Sequence, residues 1–477
     1  MESNYRAPPA STRRIVMSTN DQHYHLTDFY PAMSHPPAHP TVISATALLG
    51  GLRLPPIGEM RILEIGCATG HHILPIAEAF PSAEITAIDL DAAAISEAKR
   101  LAELAQINNI SFVCADLRDW RPAQESFDLI IAHGVFSWVN DTTKSALLQL
   151  CQQALKPQGA ALISYNTQPG WALRQPLREM VLSLQKHDLA LGSSNEALQW
   201  IERALDNRTD CYARHLREIV QDTRAKGEQQ LKFDDLAPVN DPCYFSQFYD
   251  WCHQAGLTYI GEADSTLSPH CLLSASTEAQ LQGLANSPLL LEQMTDFLTE
   301  RTFRCSVICR KEATRSAASI NEMASLCIET LTPLPSTGNT KTDAFVHAIK
   351  TTGPSCLSVQ ELMQKASQLT QHEALTITMR LLQLGMIRLR SMPVIIADEI
   401  PVSPRLCALN LDHIAHDKPM VDAFHRPCVL SPSDRIFLRT CDGSMSFDDL
   451  MKSCRNADQV EALHALLAHL QERGFFV

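Results

Sequence analysis

The chain has 477 residues, too many for one ordinary hydrophobic core, so two to four domains are expected. With 45% hydrophobic and 19% charged residues and no low-complexity tract, the composition excludes extensive disorder. A net charge of −13 argues against nucleic-acid binding, which needs a concentrated basic face.

Residues 1–45 are read as an N-terminal segment. Its opening, "MESNYRAPPASTRR", has no apolar core of the kind a signal peptide needs, and no later segment reaches about 18 uninterrupted apolar residues. A soluble, cytoplasmic protein without membrane insertion is expected. The fifteen cysteines are scattered, with no Cys-x-x-Cys pair, and read as reduced, mostly buried thiols. Cys305 and Cys309 fit no zinc spacing, and no metal is expected.

The first strong pattern lies within 46–171. "RILEI" is a β-rich apolar run, "HHILPIAEAF" has helical spacing, and "AEITAIDLD" reads as a second buried strand. A strand, helix and strand in that order imply a parallel sheet, with the turn from Gly66 to Gly70 at the carboxyl end of the first strand, where such sheets bind ligands. A dinucleotide fingerprint, G-x-G-x-x-G, fails here because its second and third glycines are Ala68 and His71. The pattern E-x-G-x-(G/A)-x-G is met by Glu64, Gly66, Ala68 and Gly70, which brings the backbone close to a small zwitterion. Asp89 closes the second strand, where its two oxygens suit a ribose diol; capping the following helix is the alternative use. "DAAAISEAKRLAELAQ" is a helix, "ISFVCAD" a third strand, "FDLIIAHGVFSWV" a fourth with its loop, and "LKPQGAALISYNT" a turn and fifth strand.

This order resembles the Rossmann-like α/β fold of class I S-adenosylmethionine-dependent methyltransferases, Glu64 to Gly70 standing where they carry motif I. The resemblance implies S-adenosylmethionine as cofactor, an acid near its adenine at Asp116, and cofactor contacts from Leu90, Leu117 and His133. The phrases "SHPPAHP", "AHGVFSWV", "SYNTQPGW", "VNDPCYFSQF" and "DFLTERTFR" narrow it further. Together they resemble bacterial methyltransferases with a methyltransferase regulatory domain, a group that includes lysine methyltransferases of outer-membrane proteins. Ala68 departs from that family's usual glycine, Phe136 from its tyrosine, and His71 and His72 from a Gly-Asn pair. The two histidines either face the amino-acid end of the cofactor or stand exposed or capping at the helix start.

Beyond the fifth strand, 172–238 read as a helical insertion and 239–312 as a regulatory region completing the sheet. There "YFSQFYDWCHQAG" and "LTYIGEAD" supply a helix and strand six, a shorter helical insertion follows, and "TFRCSVICRK" is strand seven. Insertions at the carboxyl edge would overhang the crevice, placed for acceptor recognition or for contacts in a homodimer. "TPLPSTGNTKT" is the linker to a winged-helix-like module at 335–397, and 398–477 form a C-terminal helical module. DNA reading is disfavoured because "ALTITMRLLQL" carries one arginine and is mostly apolar. With every cofactor motif lying in the first half, residues 335–477 are expected to be dispensable for cofactor binding.

Methyl transfer is an in-line displacement that demands positioning more than catalytic groups. His133, Trp138, Tyr165, Asn166 and Trp171, in the loops after strands four and five, are candidates for the acceptor: Tyr165 and Asn166 for catalysis, Trp138 and Trp171 for substrate contact. Shaping the turn and packing are their structural alternatives. The family resemblance implies a protein acceptor methylated on lysine, such as an outer-membrane protein. A small-molecule methyltransferase and a non-catalytic cofactor-binding scaffold are the alternatives, the latter opposed by intact Glu64, Gly66, Gly70 and Asp89.

Overall fold

The computed structural model describes residues 30–186, 193–264, 273–366, 369–454 and 456–476; the stretch read for a leader lies outside them. After α1 (Pro40–Leu49) the chain alternates through β1 (Arg61–Ile65), α2 (Ile73–Ala79), β2 (Glu84–Asp89), α3 (Ala92–Leu104), β3 (Ile110–Cys114), β4 (Phe127–Ala132), α4 (Asp141–Ala154) and β5 (Leu155–Asn166). Four helices follow: α5 (Gly170–Lys186), α6 (Ser194–Ala204), α7 (Cys211–Ala225) and α8 (Glu228–Phe233). Then come α9 (Phe245–Gln254), β6 (Leu257–Glu262), α10 (Ala275–Gln282), α11 (Pro288–Thr299) and β7 (Phe303–Arg310).

These strands form one seven-stranded sheet in the order β3-β2-β1-β4-β5-β7-β6. The first five are parallel, and β7 runs antiparallel to both neighbours. A Rossmann-like sheet with helical insertions is thus the architecture. β4 is buried at every position, as a parallel strand covered on both faces must be. Each Leu or Ile sequestered there contributes about 1.5–3 kcal/mol. The sheet order reverses beside β1, between β2 and β4, so a crevice opens over the carboxyl ends of β1 and β4. Cys305 and Cys309 are buried in β7 against the core.

The antiparallel edge is anchored by a buried charge. Arg304 on β7 is fully buried; its guanidinium donates to Asp296 at 2.8 Å, to Glu292 at 2.9 Å and to Glu262 at 3.2 Å, and lies 4.2 Å from the centre of the Phe245 ring. This explains "DFLTERTFR": its aspartate and its last arginine are partners across the turn from α11 into β7.

The rest of the chain is α12 (Ile320–Ala324), β8 (Cys327–Thr330), α13 (Thr340–Thr352), α14 (Val359–Lys365), α15 (Gln371–Gln383), β9 (Ile387–Arg390), α16 (Ala408–Ala415), β10 (Met420–Val421), β11 (Pro427–Cys428), α17 (Pro432–Leu438), α18 (Phe447–Lys452) and α19 (Ala457–Glu472). Three helices at 340–383 are followed by β9, which pairs antiparallel with β8. Their core also takes Leu326, Ile328 and, from α1, Ala45, so the packed unit reaches outside 335–397. A second core gathers α16 to α19.

Neither C-terminal unit stands apart from the sheet. Arg390 is fully buried where three parts of the chain meet: it donates to Glu329 at 2.8 Å, to Thr41 of α1 at 3.0 Å and to the Phe424 carbonyl at 2.7 Å. Arg100 of α3 reaches Asp412 at 3.1 Å, and Lys418 reaches Glu97 at 3.1 Å.

Removing one partner of a buried ion cluster leaves uncompensated charge, which costs about 3–5 kcal/mol. Arg304→Ala is expected to destabilise the protein by that amount in urea unfolding, through Asp296 and Glu262. A loss under about 1 kcal/mol would contradict the anchoring role.

Candidate functional site

The site grows from the turn after β1. There the Gly66 and Cys67 amides both donate to the Ile88 carbonyl at the end of β2, at 2.8 and 3.1 Å, which folds the backbone back sharply. Gly66 has φ +78°, and a Cβ there would meet Val135 Cγ2 at 2.6 Å, so both conformation and space demand glycine. Gly70, at φ +77°, is needed for a different contact: a Cβ would press on Leu74 and Ala98, the seam between α2 and α3.

Asp89 ties the turn to β2. Its Oδ2 accepts from the Ala68 amide at 2.8 Å and its Oδ1 from the Asp91 amide at 2.9 Å, and each oxygen keeps a further lone pair. The helix-capping alternative falls to Asp91, whose carboxylate accepts from the Ala93 and Ala94 amides. Burial raises the Asp89 pKa. Glu64, also buried, is raised well above the ordinary range, first by burial and then by the charge of Asp89. Its Oε2 has no hydrogen-bond partner.

A cavity of about 280 Å³ opens over this turn. Of the residues expected at the cofactor, Glu64, Gly66, Ala68, Asp89, Leu90, Asp116, Leu117 and His133 line it, joined by Trp138; Gly70 does not. Asp116 faces it with its carboxylate already engaged by the Arg118 side chain at 2.9 and 3.0 Å and by the Arg118 amide at 2.8 Å.

Three acceptor candidates lie elsewhere. Tyr165 is fully buried, stacked on Phe248 at 4.2 Å, with its hydroxyl 3.1 Å from Ser306 Oγ. It points into the core because its strand position faces α9. Asn166 is 3% exposed and donates to Asn240 Oδ1 at 3.0 Å, one layer behind the cavity. Trp171, at the start of α5, is buried and lines a second, small void together with Leu177, Leu198 and Leu231 of the helical insertion. None of these three lines the cavity: Tyr165 packs on Phe248, Asn166 is held by Asn240, and Trp171 stands beside the helical insertion.

The histidines are the larger surprise. His71 and His72 are neither exposed nor capping; both are buried and both line the cavity. His35, from the "SHPPAHP" segment, also lines it and stacks on His133 with ring centres 3.8 Å apart. His72 Nδ1 accepts from the His35 amide at 3.2 Å and lies 2.8 Å from His425 Nε2. The His71 ring lies 4.0 Å from that of His413, and His39 lies 5.1 Å from His425. Burial pushes both His72 and His413 down to about 3, so the patch is neutral at pH 7. Since His413 and His425 come from the C-terminal module, residues 335–477 brace the cavity wall, and the expectation that they are dispensable for cofactor binding loses its basis. The sequence also missed Tyr30, Phe233 and Asp234, which line the same cavity; Tyr30 lies about 200 residues from the other two in the chain, and no local signal joins them.

The chain resembles known proteins in two ways. Residues 62–159 match the model of a methyltransferase domain, and 227–310 that of a predicted methyltransferase regulatory domain. Two uncharacterized proteins of Rickettsia prowazekii (strain Madrid E) are similar. One is 30% identical over 293 residues, 60% of this chain and 52% of that protein; the other is 31% identical over 228 residues, 46% and 90% respectively. The chain therefore spans only about half the length of the first. PKMT2 from Rickettsia typhi shares the fold with a TM-score of 0.81 at 21% identity, over 94% of this chain and 100% of that one. It has also been solved in complex with AdoHcy.

With motif I in a reversed-order sheet and both family models matched, the chain belongs to the class I S-adenosylmethionine-dependent methyltransferases that carry a methyltransferase regulatory domain. Its cofactor is S-adenosylmethionine, and two observations fit that ligand: the buried, unpartnered Glu64 Oε2 and the closeness to the turn that only Gly66 permits.

Two predictions follow from this geometry. Gly66→Val is expected to abolish S-adenosylmethionine binding in calorimetry, and Asp89→Ala to weaken it by about 1.5–3 kcal/mol, the range for hydrogen bonds to a charged group. Unchanged affinity in folded variants would mean that the turn is only a connection. The second concerns pH. The folded pKa of His72 lies below its unfolded value of about 6.5, so the unfolded chain protonates first and stability falls as pH drops through that window. Between pH 6.5 and 5 His72 alone removes roughly 1.5 kcal/mol. His72→Gln is expected to flatten the stability profile by that amount, and a variant with the wild-type pH dependence would contradict it.

Proposed function

We propose that the protein methylates lysine side chains of a protein acceptor, and that the acceptor is an outer-membrane protein met in the cytoplasm before export. One observation carries the reading: part of the cavity wall is polypeptide that a bare methyltransferase sheet lacks, namely the segment at Tyr30–Met33 and residues from Lys232 to Val239 after α5 to α8. Such walls suit an acceptor side chain delivered on a long chain. The fold shared with PKMT2, a protein lysine methyltransferase, extends over these insertions and the C-terminal modules, and supports the same reading.

In this proposal Asp89 takes the ribose diol, Leu90 and Leu117 flank the adenine with Asp116 at its edge, and Glu64 Oε2 faces the amino group. Bound there, S-adenosylmethionine supplies an electrophilic methyl group on sulfur. The chain's own contribution is to orient and to keep water out. His133 and His35, uncharged and stacked, give the inner wall no competing cation. A lysine, with a reference pKa of about 10.4, must shed a proton before its lone pair can attack. An extended, still unfolded acceptor presents its lysines to the crevice one at a time.

The test supplies labelled cofactor with unfolded envelope proteins and, separately, with a small-molecule extract. Label on protein lysines, located by mass spectrometry, is expected. Label confined to the small-molecule fraction would overturn the reading and favour the small-molecule alternative.

A further inference from the structure

Away from the glycine turn, part of the cavity lining is assembled around one carboxylate. Asp234 follows α8 directly, and its backbone carbonyl is clamped: Trp138 Nε1 donates to it at 3.2 Å and Asn240 Nδ2 at 3.3 Å. Asn240 is itself held from behind, since its Oδ1 accepts from Asn166 Nδ2 at 3.0 Å. The end of β5 thus fixes a residue that lies 68 positions later in the chain. The Asp234 carboxylate faces the cavity, where the Tyr30 hydroxyl, 3.2 and 3.4 Å from its two oxygens, is shared between them. Tyr30 stands edge-on to Phe233 with ring centres 5.9 Å apart.

The Gln230 side chain also bonds this carboxylate, and with two oxygens it can still accept further donors. Lys226, whose charge pulls the Asp234 pKa down, is bound to Asp235 at 2.7 and 2.9 Å. Among the described residues no salt bridge serves Asp234. Burial lifts its pKa to about 6, which leaves it mostly ionised at pH 7. Around it stand three aromatic residues, Tyr30, Trp138 and Phe233, each lining the same cavity. An acid at the end of an aromatic collar matches a group with an apolar stem and a cationic tip, because rings pack against methylenes and attract a cation while the carboxylate accepts its hydrogens.

Resting on the lysine reading above, we propose that the collar of Tyr30, Trp138 and Phe233 is the entry for the acceptor side chain, with Asp234 the residue that receives its ammonium. Asn166 then serves as a positioning residue, acting through Asn240 on the carbonyl of Asp234 without touching the acceptor. The assignment also gives the N-terminal segment a role, since Tyr30 bonds Asp234 and packs on Phe233 at the end of the helical insertion.

The test uses the full chain saturated with S-adenosylhomocysteine, so that binding is read without turnover. Two short peptides are compared by calorimetry: one with a single central lysine, the other with norleucine in its place, which keeps the stem and removes the charge. Wild-type protein is expected to prefer the lysine peptide by about tenfold or more, and the isosteric Asp234→Asn to lose that preference while holding S-adenosylhomocysteine as tightly as before. Tyr30→Phe, a milder change, is expected to narrow the preference without removing it. A wild type that does not distinguish the peptides, by holding both alike or neither, overturns the lysine reading and this proposal together. Preference undiminished in Asp234→Asn overturns the proposal alone and leaves the lysine reading standing. Loss of S-adenosylhomocysteine from Asp234→Asn also overturns it, because Asp234 would then belong to the cofactor's own enclosure.

Discussion

Everything at this site depends on the backbone reversal after β1, where a glycine at positive φ lets two successive amides reach the Ile88 carbonyl. That reversal places Ala68 so that its amide meets the carboxylate of Asp89, and so locks β1 to β2 at their carboxyl ends. The constraint is steric first and electrostatic second. A side chain at Gly66 would collide with Val135 in the loop after β4, so turn and loop can approach only across a glycine. Their approach closes the floor of the cavity. The cost is a pair of buried carboxylates, Glu64 and Asp89, each raised in pKa by burial, and a ligand bearing an ammonium and a diol offsets that cost.

The cofactor half of the site was legible because it is local in sequence. Glu64 to Gly70 form one turn, Asp89 and Asp116 end the next two strands, and strand alternation alone put them on one edge. The acceptor half was not. Tyr165 and Asn166 sit at the end of a strand as expected, but whether a side chain at a strand end faces a cavity or the layer beneath depends on what covers it, and here α9 brings Phe248 over Tyr165. Asp234 gave no signal, since an acid after a short helix has no pattern of its own. Some family phrases acquire physical meaning only in three dimensions. "VNDPCYFSQF" supplies Asn240, which bridges Asn166 to Asp234, and "SHPPAHP" supplies His35 and His39 to the buried histidine patch.

That patch joins two parts of the molecule that the sequence separates. The C-terminal module presents His413 and His425 to His71 and His72. Arg390 closes the same junction from the other side through Thr41, Glu329 and Phe424. The accessory modules therefore brace the cavity wall from behind, through the neutral packing of His413 and His425 on His71 and His72.

The central claim is that one cavity holds the cofactor at the glycine turn and opens toward the acceptor past Trp138. The most direct test is a crystal structure of the protein with S-adenosylhomocysteine. The account predicts ribose hydroxyls within hydrogen-bond distance of Asp89, the amino group beside Glu64, and the sulfur facing the opening between Trp138 and Asp234. A ligand whose ribose lies away from Asp89, or whose sulfur faces a closed wall with Trp138 and Asp234 on its far side, would contradict it.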